Sequence, residues 1–205
     1  MDRTLTIAAC SGVAGPLWLG GTIAVLSAVQ YDFMRGLGWH PLDAPTLDWP
    51  SGLALGPHGA WMAAAFAGCG ALLVPFAMGL SRALGGVPGS GRGTALLAAS
   101  GAALALLASP TDPTLAGGPR TVPGLAHDGA FVLLGLTLLP ALALLGRSFG
   151  HNPAWRGHRA YTWATLALAA PAFVLKGGAF YLFLLAALSW FVVTGARLGR
   201  AARGS

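Results

Sequence analysis

Residues 160–196 read AYTWATLALAAPAFVLKGGAFYLFLLAALSWFVVTGA, an apolar run broken only by Lys176, Gly177 and Gly178. As one helix it would extend about 55 Å at about 1.5 Å per residue, against a bilayer hydrocarbon core of about 30 Å. The chain must therefore turn back inside this stretch. Lys-Gly-Gly suits the turn, because the glycines accept positive φ and the lysine head can reach water. Two consecutive crossings follow, residues 160–175 and 178–196.

Working outward from this hairpin, four further apolar runs of membrane length occur at 5–29, 59–80, 93–109 and 129–146. The composition agrees: 55% of the 205 residues are hydrophobic and 9% charged, where an ordinary soluble domain carries about 25% charged residues. So small a supply of charge cannot clothe a water-facing surface. The expected fold is an all-α, polytopic six-helix transmembrane bundle, with residues 1–205 forming a single integral membrane domain.

Arginine placement sets the expected orientation. With the amino terminus inside, Arg3, Arg82, Arg92, Arg147, Arg156, Arg159, Arg197, Arg200 and Arg203 lie on the cytoplasmic side. Arg35, Arg120 and Lys176 lie outside. The opposite topology would break the positive-inside rule at every loop. The sequence thus predicts a multi-pass protein of the cell membrane with both termini cytoplasmic. Five of the six aspartates, Asp32, Asp43, Asp48, Asp112 and Asp128, then face outward. Trp39, Trp49 and Trp61 fall near the outer interface and Trp155 and Trp163 near the inner one, as interfacial rings prefer. Trp18 and Trp190 fall within spans and read as packing residues.

The net charge of +6 is not a nucleic-acid footprint, because the basic residues sit in short loops between apolar runs. Membrane lipids are the expected partners. The segment Ile7-Ala8-Ala9-Cys10 resembles a lipoprotein cleavage box, but its apolar region follows the cysteine, and the first run is too long for a cleavable signal core. Cys10 and Cys69 lie in apolar runs and read as small packing residues. The segment Gly86 to Thr94 is glycine-rich like a phosphate loop, yet Arg92 and Gly93 stand where lysine and a hydroxyl residue are needed, so it reads as a turn. The 31 glycines predict closely packed helices, since in lipid packing replaces the hydrophobic drive. Pro16, Pro75, Pro140 and Pro171 fall inside spans, where they can kink helices.

Polar chemistry concentrates in two outer loops. The first runs from Tyr31 through His40, Asp43 and Asp48 to His58; the second runs from Pro110 through Asp112 and Arg120 to His127 and Asp128. Each delivers a histidine to the start of a descending helix. If those helix tops are neighbours, His58, Asp112, His127 and Asp128 converge, as candidate acid-base residues or as ligands of a divalent metal. No cofactor is established by any motif. Asp32, Arg35, His40 and Arg120 are candidate ligand-binding residues. The plainer reading makes Asp128 a helix-dipole residue, Asp112 a turn residue before Pro113, and the histidines interfacial polar groups. His151, Arg156, His158 and Arg159 form a basic inner loop suited to anionic lipid.

Tyr31-Asp32-Phe33-Met34-Arg35, Pro110-Thr111-Asp112-Pro113 and Gly124-Leu125-Ala126-His127-Asp128, within six spans, resemble the bacterial membrane-protein family known as domain of unknown function 998. The likeness covers nearly the whole chain. It implies a multi-helix membrane protein and carries over no catalytic residue. Pro123 departs from the histidine expected in the family pattern, which weighs against a metal set. Three functions remain open at this level: a membrane protein whose outer cap binds a lipid head group, small molecule or partner; a membrane-embedded enzyme acting on a lipid or isoprenoid; and a small transporter. The last is disfavoured by the lack of internal repeats and of charge at mid-span.

Overall fold

The computed structural model describes residues 2–39, 50–113, 119–175 and 178–204. Among them the chain forms α-helices α1 (Arg3–Val29), α2 (Tyr31–Gly36), α3 (Gly59–Ala83), α4 (Ser90–Leu106), α5 (Val122–His151), α6 (Arg156–Leu175) and α7 (Ala179–Gly204). Two 3₁₀ segments, Pro50–Leu55 and Pro153–Trp155, join them, and no strand occurs among the described residues. Four helices are long and apolar enough to cross a membrane: α1, α3, α5 and α7. The other two predicted spans stand differently. α4 has 17 residues, and the start of α6 carries Arg156, His158 and Arg159.

The helix ends follow from local chemistry. The Asp2 carboxylate accepts hydrogen bonds from the backbone of Thr4 and Leu5 and caps α1. At the start of α3 the cap is borrowed: His58 N–H donates to Oε1 of Gln30 (2.8 Å), while Nε2 of Gln30 donates to the Leu53 carbonyl (3.0 Å). This buried amide satisfies groups that the loop would otherwise leave unpaired. Pro16, Pro75, Pro140 and Pro171 are all accommodated inside helices.

Each long helix packs on the next in sequence, α1 on α3 and so on to α7, and α7 returns to α1, so the six long helices close a ring. Glycines set the spacing. A side chain on Gly70 would run into the backbone of Gly101 and Ala105 on α4, and one on Gly12 of α1 would strike the Phe76 ring. Backbone approach of this kind is how helices associate where lipid is as apolar as the core. Toward the chain termini the ring is filled: Phe76 of α3 meets Trp190 and Phe191 of α7 edge-on, with centroids 6.4 and 6.0 Å apart. Nε1 of Trp190 donates to the Thr162 hydroxyl (2.9 Å), and Nε2 of His158 lies 2.8 Å from the Thr194 hydroxyl, so α6 and α7 are also joined by buried hydrogen bonds.

The outward faces are apolar at mid-helix, where Met78, Leu136 and Leu185 are each about two-thirds exposed. In water such a surface would be an aggregation hazard; hydrocarbon suits it. Toward the opposite end, α2 packs on α1, and the 3₁₀ segment Pro50–Leu55 packs on α1 and α3. There Nε1 of Trp39 donates to the Tyr181 hydroxyl (3.0 Å), tying the segment after α2 to the start of α7.

Candidate functional site

At this end the ring is not filled. A cavity of about 300 Å³ lies between α1, α3, α4, α5 and α7. Its walls are apolar, with Leu19 and Ile23 from α1, Phe66 from α3, Leu104 and Leu107 from α4, Phe131 and Leu134 from α5, and Phe180 and Phe183 from α7. Its rim is polar: Ser51, Thr111, Asp112, Arg120, His127 and Asp128.

The rim is built by one local motif. Thr121 caps α5, accepting from the Gly124 N–H (3.1 Å). Its own N–H and hydroxyl donate to the two oxygens of Asp112, at 2.9 and 2.7 Å. These two bonds, with the nearby Arg120 guanidinium contributing less, hold the Asp112 carboxyl below the usual carboxylate range. A Cβ at Gly124 would overlap the Asp112 carboxylate, so glycine here is what lets Asp112 sit against Thr121. Asp112 therefore serves first to lock the loop onto the start of α5. Hydrogen bonds to the charged form are what depress such a group.

His127 is 5% exposed. Its Nδ1 lies 2.9 Å from the carbonyl of Ser109, and because a carbonyl only accepts, this nitrogen carries the proton. The Ser109 hydroxyl in turn donates to the Pro123 carbonyl (3.1 Å), so one residue at the end of α4 orients both the imidazole and the first turn of α5. Phe66 packs edge-on against the ring. With Nδ1–H committed to Ser109, Nε2 is the ring nitrogen left over, and it has no protein partner among the described residues. Asp128 pairs with Arg120, Oδ2 to guanidinium at 2.8 Å.

Several sequence expectations change here. α5 begins at Val122 rather than near residue 129, because Thr121 and Pro123 supply a helix start. His127 and Asp128 consequently lie more than a turn inside the helix, and Asp128 is an ion-pair residue rather than a helix-end one. Asp112, Arg120, His127 and Asp128 do share a cavity. His58 does not join them: it is exposed at the start of α3 and borders a separate lipid-side groove with Trp18, Val25 and Trp61. Among the described residues no three His, Cys, Asp or Glu side chains gather as a metal-binding group. Asp32 and Arg35 sit on α2 and neither borders the cavity; His40 lies outside the described residues. Thr121, Ser109 and Gly124, which shape the rim, were not singled out by sequence chemistry. The signal available was Thr121 before Pro123, a common helix-start pattern.

The fold and its cavity define a class: an all-helical protein with helices apolar enough for a membrane, carrying a half-polar pocket among its helix ends. The chain belongs to the family described as Protein of unknown function (DUF998), whose family model matches residues 13–204. No curated protein and no solved structure matches it.

Proposed function

We propose that this chain is a six-crossing cell-membrane protein that binds a small molecule or lipid head group in the cavity beneath its outer cap. The ring supports six crossings. α4 and α6 each stand between two apolar helices of membrane length. Each also joins connections at opposite ends of the bundle. At about 1.5 Å per residue, 17 and 20 residues extend about 25 and 30 Å, close to the hydrocarbon thickness. The positive-inside rule then puts both termini in the cytoplasm and the cavity's polar rim on the outer side.

The observation that carries the binding reading is the His127 imidazole, nine-tenths buried, oriented by Ser109 and bordering a void rather than a packed partner. A buried polar group without its hydrogen bond costs about 1–3 kcal/mol. A ligand that supplies the bond recovers that cost. Apolar walls with a few convergent polar groups are the usual make-up of a small-molecule site. An acid-base enzyme is less well supported, since Asp112 is occupied by Thr121 and His58 lies elsewhere.

The test is extraction of the detergent-purified protein, comparing wild type with Leu134→Trp, which places an indole into the cavity. The expected result is a stoichiometric small molecule or lipid from the wild type only, with the variant still folded by thermal unfolding. Identical extracts from both proteins would remove the cavity from consideration.

A further inference from the structure

The rim also constrains what kind of head group the cavity takes, an inference that rests on the binding reading above. We infer that the ligand is an amphipath whose head donates hydrogen bonds and carries no negative charge, a hydroxyl or an ammonium, on a short hydrocarbon body.

The polar atoms left for a ligand are acceptors. Nδ1–H of His127 is spent on the Ser109 carbonyl, so Nε2 offers a lone pair. Asp128 uses Oδ2 on Arg120, and its other oxygen has no partner among the described residues. Both oxygens of Asp112 receive bonds from Thr121. Charge leads to the same conclusion: two carboxylates, Asp112 and Asp128, share the rim with one guanidinium, Arg120. An anionic head would meet the surplus carboxylate. A hydroxyl meets Nε2 directly, and an ammonium also answers the surplus charge.

The body follows from volume and lining. About 300 Å³, at about 30 Å³ per water-sized group, holds about ten such groups. Leu19, Phe66, Leu104, Phe131 and Phe183 give them an apolar wall.

Decanol, decylamine and decanoate share one chain length and differ in the head. Each is titrated into the full-length protein in detergent at neutral pH, with the thermal midpoint and calorimetric heat as readouts. Leu134→Trp serves as the blank for partition into the micelle. Decanol and decylamine are expected to bind saturably and decanoate at least tenfold more weakly. His127→Leu should weaken decanol about tenfold, and Asp128→Asn should weaken decylamine more than decanol. The inference is overturned if decanoate binds as tightly as decanol, if His127→Leu leaves decanol unaffected, or if none of the three binds. The first two results leave the cavity reading standing. The third leaves that reading to the extraction experiment, which does not depend on the choice of head group. If His127→Leu fails to fold, the ranking of the three heads on the wild type decides the matter.

Discussion

Gly70→Ala and Gly129→Ala are the same chemical change with opposite expected outcomes. At Gly70 the new Cβ would lie 2.5 Å from the Ala105 nitrogen and 2.9 Å from its Cα, where ordinary contact begins at 3.4 Å. These are backbone atoms of α4, so no rotamer change relieves the clash, and α3 and α4 must part by about 0.9 Å locally. A gap of about 0.5–1 Å forfeits a quarter to a half of the dispersion at each facing contact. Overpacking of this kind costs about 1–3 kcal/mol. The rigid backbone on the far side places Gly70 near the upper end, and alanine's helix propensity returns about 1 kcal/mol. The expected net loss is about 2 kcal/mol. At Gly129 on α5 nothing lies within 4 Å of the added carbon, so only the propensity gain of up to about 1 kcal/mol remains. Reversible unfolding in mixed micelles titrated with a denaturing detergent reads the difference. Ligand binding should weaken in Gly70→Ala as well, because Phe66 and Leu104 line the cavity from the two helices that separate. If Gly70→Ala proves as stable as Gly129→Ala, close backbone approach between α3 and α4 does not hold this ring together.

Two further predictions concern the rim. The Asp112 carboxyl is held below its ordinary value by Thr121. Its contribution to stability is therefore complete above the unfolded value of about 3.9 and is lost as pH falls through the lower folded value. The wild type should lose stability on acidification through that window and Asp112→Asn should show a shallower slope there; equal slopes in an acid-unfolding series would contradict the assignment. In Gly124→Ala the added carbon displaces the Asp112 carboxylate and breaks both bonds to Thr121. Only a small net change in stability is expected, since the loss of two solvent-exposed hydrogen bonds is opposed by the helix propensity alanine gains over glycine. The same variant should match Asp112→Asn in its acid profile.

Much of the architecture was legible without coordinates. The apolar run 160–196 divides into α6, ending at Leu175, and α7, beginning at Ala179, as a hydrocarbon core of fixed thickness would require; Lys176 and Gly177 of the expected turn lie outside the described residues. The apolar runs at 5–29 and 59–80 became α1 and α3 with shifts of a few residues, and the small-residue content of the spans reappears as backbone contact at Gly70 and Gly101. Less was legible at the site. Asp112, Arg120, His127 and Asp128 read as polar residues of one stretch of sequence, and they meet because Thr121 ties Asp112 to the start of α5 and Arg120 pairs with Asp128. His58 was marked on equal grounds and lies elsewhere.

The chain's own residues determine that its helices are apolar enough for a membrane, roughly where each begins and ends, and where its charge lies along the sequence, because transfer to hydrocarbon and backbone hydrogen bonding are local costs counted residue by residue. Which face of each helix turns inward is a different matter. In a membrane the outward face is as apolar as the inward one, so no polar stripe records the choice. Closure of the ring by α7 against α1, the void at one end of the ring, and the commitment of His127 Nδ1 to Ser109, 18 residues earlier, are set by side-chain shape across helices, and only the tertiary structure decides them.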